Sequence, residues 1–434
     1  MDRNPSAIQK LLSKSIQVEP GEVPALLWSF SYFFALLCSY YILRPMRDEM
    51  GILGGVENLQ WLFTGTLLAM IAAIPLFGWV SSRFPRRKFL PYVYLFFIGT
   101  MLLFYLLMEE RVLAVVVARS FFIWASVFNL FVVSVFWSFM TDIYSNGQAR
   151  RLFGFIAAGG TVGAITGPAV TALLVEPIGP RNLLLISALF LAWAILSIAR
   201  LDHWAPKEST PPGRVVTVTE EAAIGGSVWD GIRLVIHSPY LMGIGLLMLL
   251  FTTLATFLYL MQAQIIRDAL VDSAQRTALF AQIDLTVNTL TLLIQLFLTN
   301  RLIKWLKLPM ALALIPLLLA IGFILLGFAP TVALLIVVQV IRRAGNYAIM
   351  RPAREMLYVV LSREEKYKAK NVIDTLVYRT GDAVSAWVYS GIRALGITLS
   401  GVAFIAVPLA LLWAWVAYKL GQAQQQRAES PHAE

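Results

Sequence analysis

Between Ile341 and Asp382 the chain sets charged side chains into stretches otherwise apolar enough for lipid. Arg342, Arg343, Arg351, Arg354 and Glu355 come first, a basic turn runs from Arg363 to Lys370, and Asp374, Arg379 and Asp382 follow. A charge at the bilayer centre costs about 3 kcal/mol on insertion scales, so such groups persist where they pair or face water. Residues three and four apart share a helix face. That spacing sorts the charges into three stripes: Tyr40, Arg44, Arg47 and Asp48; Tyr347, Arg351, Arg354 and Glu355; and Asp374, Tyr378 and Asp382 with Arg379 beside them. The planar fork of arginine fits carboxylate or phosphate oxygens bidentately, and tyrosine adds a hydroxyl and a stacking face. The chemistry expected is therefore reversible binding of a small anion in a charged, water-accessible lumen.

Tyr40, Arg44, Arg47, Tyr347, Arg351, Arg354 and Arg379 are the expected substrate-binding residues. Asp48, Arg267, Asp268, Asp284, Glu355, Lys370, Asp374 and Asp382 are the expected coupling or gating groups. Each has a structural alternative, an internal ion pair that locks helices, such as Arg354 with Asp374 or Arg47 with Asp48. Asp284 reads equally as a proton-coupling carboxylate or as the buried partner of an arginine. Within the spans and at the ends of the first and seventh, nine arginines stand against seven acids, and a desolvated positive surplus favours an anion.

Other chemistries find little support. The one cysteine, Cys38, excludes an internal disulfide and a cysteine metal cluster. His203, His237 and His432 all fall in polar segments, so no histidine relay is expected within the membrane. The glycines at 159, 163 and 167 form a small-residue ladder for close helix packing, expected against the eighth span or another inner helix. No strand precedes them and no Gly-Lys-Ser/Thr ends them, so they are not a phosphate loop. No nucleophile–base pair stands out. The expectation is a protein without a cofactor, without nucleic acid and without enzymatic activity.

The elements that position these residues follow from hydropathy. The 434 residues are 59% hydrophobic and 14% charged, against about a quarter charged in soluble domains. Apolar windows of about twenty residues predict about twelve helices: 22–43, 59–80, 91–108, 112–140, 152–175, 183–200, 239–263, 277–300, 309–328, 332–357, 371–393 and 397–419. With the N-terminus inside, cytoplasmic segments hold 22 of the 35 Lys and Arg and external loops hold 7. The positive-inside rule thus places both termini in the cytoplasm and accounts for the net charge of +10 without nucleic acid.

A Pro-rich break divides the chain into an N-terminal six-helix bundle (1–200), a linker (201–238) ending in an amphipathic helix, and a C-terminal six-helix bundle (239–434). Arg47-Asp48 near the end of the first span is echoed by Arg267-Asp268 near the end of the seventh. Parallel six-helix repeats of this kind mark secondary transporters.

The loop from Gly78 to Lys88 resembles the loop signature of the major facilitator superfamily, Gly-x-x-x-Asp-Arg-x-Gly-Arg-Arg, with Ser82 at the Asp and Pro85 at the Gly. The resemblance implies an all-α membrane protein of two six-helix bundles, the major facilitator fold, in the plasma (bacterial inner) membrane. A second resemblance is narrower. Tyr40-Tyr41-Ile42-Leu43-Arg44-Pro45-Met46-Arg47-Asp48 resembles the first-span motif of the ATP/ADP antiporters, Tyr-x-Ile-Leu-Arg-x-x-Lys-Asp. Tyr347, the run Arg351-Pro352-Ala353-Arg354-Glu355-Met356-Leu357-Tyr358, the lysines 366, 368 and 370, and Ile373-Asp374 resemble a second motif of that family. Phe136-Trp137-Ser138-Phe139 leading to Arg150-Arg151 resembles a third.

The resemblance implies exchange of an anionic metabolite, nucleotides included, coupled to a counter-substrate or a proton. The departures bear on substrate. Arg351 stands where the family has Asp, Arg354 where it has Lys, and the family's membrane glutamates fall near Ala125 and Tyr259. A proton-coupled porter for an amphiphilic metabolite, peptide or drug is the alternative, as is a membrane scaffold or sensor that does not transport.

Overall fold

A computed structural model describes residues 18–19, 21–83, 86–204 and 228–429. Phe84 and Pro85 of the basic loop and linker residues 205–227 lie outside the described residues. The chain is a succession of helices: α1 (Val23–Leu53), α2 (Leu59–Arg83), α3 (Arg86–Leu107), α4 (Ala114–Ile143), α5 (Asn146–Ile178) and α6 (Leu183–Trp204). After the short α7 (Val228–His237) come α8 (Pro239–Ala269), α9 (Ser273–Phe297) and α10 (Thr299–Phe328). The next two spans are broken: α11 (Val332–Gly345) and α12 (Arg351–Leu357), then α13 (Arg363–Asn371) and α14 (Tyr378–Ala394); α15 (Leu399–Glu429) closes the chain.

Eleven of these helical stretches are long and apolar enough to cross a membrane. The predicted eleventh span is helical but is not among them, since Asp374, Arg379 and Asp382 hold its hydropathy down. Those charges suit a helix turned away from lipid.

The helices sort into two compact units. The first comprises Met1–Gly55, Leu68–Glu208 and Leu270–Asn288; the second comprises Val56–Leu67, Ser209–Ala269 and Thr289–Glu434. Neither unit follows a sequence half, because the start of α9 packs with the first and the start of α2 with the second.

In the first unit α1 is the central helix, packed on α4, α5 and α6. Its close approach to α5 is set by the glycine ladder. A Cβ at Gly167 would lie 2.7 Å from the Cys38 carbonyl oxygen, and one at Gly163 would lie 3.0 Å from the Cys38 nitrogen. The ladder's main partner is thus α1. The eighth span, α9, also touches α5, where the Asn288 amide donates to the Ala164 carbonyl at 2.6 Å. Aromatic rings fill the space around α1, with Phe33 stacked on Phe136 at 4.2 Å. In the second unit α8 and α10 pack on α15, and α14 packs on α8.

Two π-helical turns, Asn346–Met350 and Val372–Val377, interrupt the tenth and eleventh spans. The first has a cause in sequence. Pro352 lacks the N–H that would bond the carbonyl of Ala348 in an α-helix. The hydroxyl of Thr299 donates to that carbonyl instead, at 2.8 Å, and the Gln295 amide donates to the Tyr347 carbonyl at 3.2 Å. Turns of this type concentrate at functional sites. These two bracket Arg351, Arg354 and Glu355, and the second contains Asp374.

Candidate functional site

The first unit holds one charge cluster on α1. That helix runs ten residues past the predicted end of its span, so Arg44, Arg47, Asp48 and Glu49 all lie within it. Arg47 is fixed from three sides. Its Nε donates to Ser126 Oγ at 2.9 Å, Nη1 reaches Asp48 Oδ1 at 3.2 Å, and the guanidinium sits 4.0 Å from the centre of the Phe122 ring. Arg44 Nε lies 3.6 Å from the buried Asp284 on α9, the ion-pair reading of that carboxylate. The Arg44 guanidinium also lies 5.6 Å from the Tyr41 ring, and the neighbouring Tyr40 packs edge-on against Tyr41.

The second unit holds the denser cluster. Arg354 Nη2 lies 3.4 Å from Asp374 Oδ1, and its Nη1 meets the Met248 sulfur at 3.2 Å. Lys370 Nζ donates to Glu355 Oε2 at 2.6 Å, which ties α12 to α13. Arg351 is exposed and has no ion-pair partner among the described residues. With Arg354 and Asn346 it lines a small concavity together with Leu247, Met248, Phe251 and Met350. One turn after Asp374, at the start of α14, Tyr378 lies in the field of Asp382, Tyr347, Arg379 and Arg342. The Arg379 guanidinium rests 5.4 Å from the Tyr378 ring, and Asp382 accepts from Thr256 at 3.3 Å.

Arg267 and Asp268 lie at the end of α8. Arg267 pairs with its neighbour Asp268 at 3.1 Å and with Glu57 at 3.3 Å. Arg119, an intramembrane arginine, donates to the Gly54 carbonyl at 2.8 Å and so closes the end of α1. Among the described residues no group of His, Cys, Asp and Glu could hold a metal ion.

These charges are arranged on a framework that the major facilitator profile matches over residues 26–368, most of the chain. The chain belongs to the Major Facilitator Superfamily. It is an integral, multi-pass membrane protein of a class that carries small molecules. A second profile, described as TLC ATP/ADP transporter, matches residues 317–424, the part that contains the charged hairpin. The ADP,ATP carrier protein 1 of Chlamydia muridarum is 22% identical over 317 residues, 65% of this chain and 60% of that protein. The chain thus spans about 60% of the length of the curated relative it matches.

Solved facilitator structures share the fold. A bacterial homologue of the human lysosomal transporter Spinster, inward-facing and unoccupied, superposes with TM-score 0.60 at 15% identity over 96% of this chain and 100% of its own. A POT family transporter in complex with a thioalcohol-conjugated peptide gives 0.62 at 13% identity, covering 92% and 96%. The nucleoside transporter NupG, solved as a point mutant, gives 0.61 at 14% identity, covering 93% and 99%.

Within this facilitator, one pair escapes a reading of the sequence. Arg276 and Glu49 form a two-point salt bridge, Nε to Oε2 and Nη2 to Oε1, both at 2.7 Å. The side chains are 8% and 0% exposed. Arg276 falls just before the predicted eighth span and reads as a loop residue; α9 starts at Ser273 and takes it inside. The acidic neighbour on the extended α1 is the signal that could have found it.

Proposed function

We propose that this facilitator is a secondary active transporter that moves an anionic metabolite, nucleotides among the candidates, by alternating access. Its two repeats, 1–200 and 239–434, would lie in the bacterial inner membrane with both termini in the cytoplasm. The observation that carries the reading is Arg351, an exposed arginine without an acidic partner among the described residues, beside Arg354 and Asn346. The charge balance supports it. From Ile341 to Asp382 nine Lys and Arg stand against five acids, Glu355, Glu364, Glu365, Asp374 and Asp382. A partly desolvated surplus of that sign favours an anion. The match of residues 317–424 to the ATP/ADP transporter profile covers the same hairpin.

Arg47 is the contribution of the first unit. Ser126, adjacent to the position near Ala125 where the antiporters carry a glutamate, gives it a neutral acceptor. Its guanidinium already carries one carboxylate, Asp48 at 3.2 Å, and the serine adds no second one.

Thermal-shift screening of nucleotides, other phosphates and organic acids on the purified protein tests the proposal. Anions should raise the melting temperature, and Arg354→Lys and Arg47→Lys should shrink that shift although they keep the charge, because the fork is lost. Stabilisation by cations or neutral compounds alone, unchanged in both variants, refutes it.

A further inference from the structure

Three buried polar atoms next to the Arg354–Asp374 contact make no hydrogen bond among the described residues: Arg354 Nε, Asp374 Oδ1 and the hydroxyl of Tyr358. Tyr358 is wholly buried. Its hydroxyl lies in the field of Asp374, Arg354, Glu355 and Tyr240. Two of those neighbours are engaged elsewhere. Glu355 accepts from Lys370 at 2.6 Å, and the Tyr240 hydroxyl donates to the Leu357 carbonyl at 2.8 Å. The Arg354–Asp374 contact of 3.4 Å lies outside hydrogen-bond geometry.

Buried polar groups are almost always hydrogen-bonded, and a half-satisfied network demands a physical account. Two donors, the Arg354 Nε–H and the Tyr358 O–H, and one acceptor, Asp374 Oδ1, are thus left without partners among the described residues. The set closes if an outside acceptor is added, in an arrangement that uses every group. An oxyanion accepts from Arg354, and Asp374, released from that arginine, accepts from Tyr358. Asp374 sits inside the π-helical segment Val372–Val377, a kind of turn frequent at functional sites.

We infer that Tyr358 is a positioning residue: it takes over Asp374 when a phosphate or carboxylate oxygen of the substrate takes Arg354. Asp374 is then a built-in competitor for the anion, and Tyr358 lowers the cost of displacing it. This rests on the anion-transport reading above.

The test uses the full-length protein with ATP, pyrophosphate and inorganic phosphate as probes, each affinity measured by titration calorimetry alongside melting without ligand. Tyr358→Phe should weaken binding of the anions about tenfold, the scale of one hydrogen bond to a charged group. The same variant should melt no lower than wild type without ligand, because it removes a buried hydroxyl that lacks a partner. In an Asp374→Ala background, anions should bind more tightly than to wild type, and adding Tyr358→Phe should change nothing. Unchanged binding in Tyr358→Phe overturns the inference, as does an equal loss in both backgrounds or a fall in ligand-free melting temperature. Should Asp374→Ala fail to fold, the single variant's split between stability and affinity still decides. If wild type binds none of the three probes, the phosphate form of the anion reading fails and this inference with it. If wild type binds and Tyr358→Phe binds equally, only the inference fails.

Discussion

Removing Arg276 should destabilise the protein more than any other single charge substitution among these clusters. Glu49 has no exposed side-chain surface, and both of its oxygens accept from Arg276 at 2.7 Å. Arg276 also donates to the Leu270 and Val271 carbonyls at 2.9 and 2.8 Å. In Arg276→Met the carboxylate stays buried without its cation and two carbonyls lose a donor. Breaking a buried pair from one side costs about 3–5 kcal/mol, which for a unit of this size lowers the melting temperature on the order of 10 °C. Glu49→Gln should cost less, about 1–3 kcal/mol, because a neutral acceptor remains and the guanidinium keeps its two carbonyls. The double variant Glu49→Leu/Arg276→Met should recover much of the loss, since apolar packing can replace a buried ion pair with little change in stability. Melting of the four proteins in detergent gives the order. If Arg276→Met melts with wild type, or the double variant melts lowest, the assignment of this bridge as a buried clamp between α1 and α9 is refuted.

Other outcomes follow from the same geometry. Gly163→Val should abolish well-folded protein in size-exclusion profiles, because its side chain would meet the backbone of α1 at Phe34 and Cys38; Gly154→Ala, with nothing within 4 Å of its Cβ, should be tolerated. At the start of α1, burial acts to raise the Glu22 carboxyl, but hydrogen bonds from Gln148, the Glu19 N–H and Arg151 bring it below its ordinary value of 4.5. A depressed carboxyl contributes stability that is present above its unfolded-state pKa and lost as pH falls through the folded one. Stability should therefore drop below about pH 4.5, and Glu22→Gln should flatten that limb in melting curves recorded against pH. Lys370→Met should leave Glu355 without its 2.6 Å donor and loosen the link between α12 and α13, which hydrogen exchange along 351–371 would register as faster opening.

Much of the framework was legible from hydropathy alone, because lipid imposes long apolar helices whatever the details of packing. Eleven of the spans are strongly apolar, and the remaining one, 371–393, is less so but was still read as a helix from its window. The pairing of Arg354 with Asp374 was accessible as an alternative, since the two residues flank a short hairpin and must come near each other. Helix ends were not legible. The windows stop α1 at 43 and start α9 at 277, because charge ends an apolar run while the helix itself continues to Leu53 and begins at Ser273. For that reason Arg276 read as a loop residue and its bridge to Glu49 went unseen. The partner of the glycine ladder was open because spacing reports that two helices come close but does not name the second one; it proved to be mainly α1. The π-helical turns leave no mark on periodicity, although Pro352 announces a missing hydrogen bond at Ala348. The orphaned hydroxyl of Tyr358 depends on side-chain placement to within an ångström, which no pattern of residues conveys.

Counterflow in proteoliposomes tests the central claim most directly. Vesicles holding purified protein would be loaded with an unlabelled anion chosen from those that stabilise it, ATP, pyrophosphate or an organic acid, and given the labelled form outside. The account predicts saturable uptake that depends on the internal anion or on a proton gradient, is weakened in Arg354→Lys and is absent from protein-free vesicles. Uptake no faster than in protein-free vesicles for every such anion, or uptake indifferent to Arg354→Lys and Arg351→Gln together, would contradict it and leave these arginines as structural pairs.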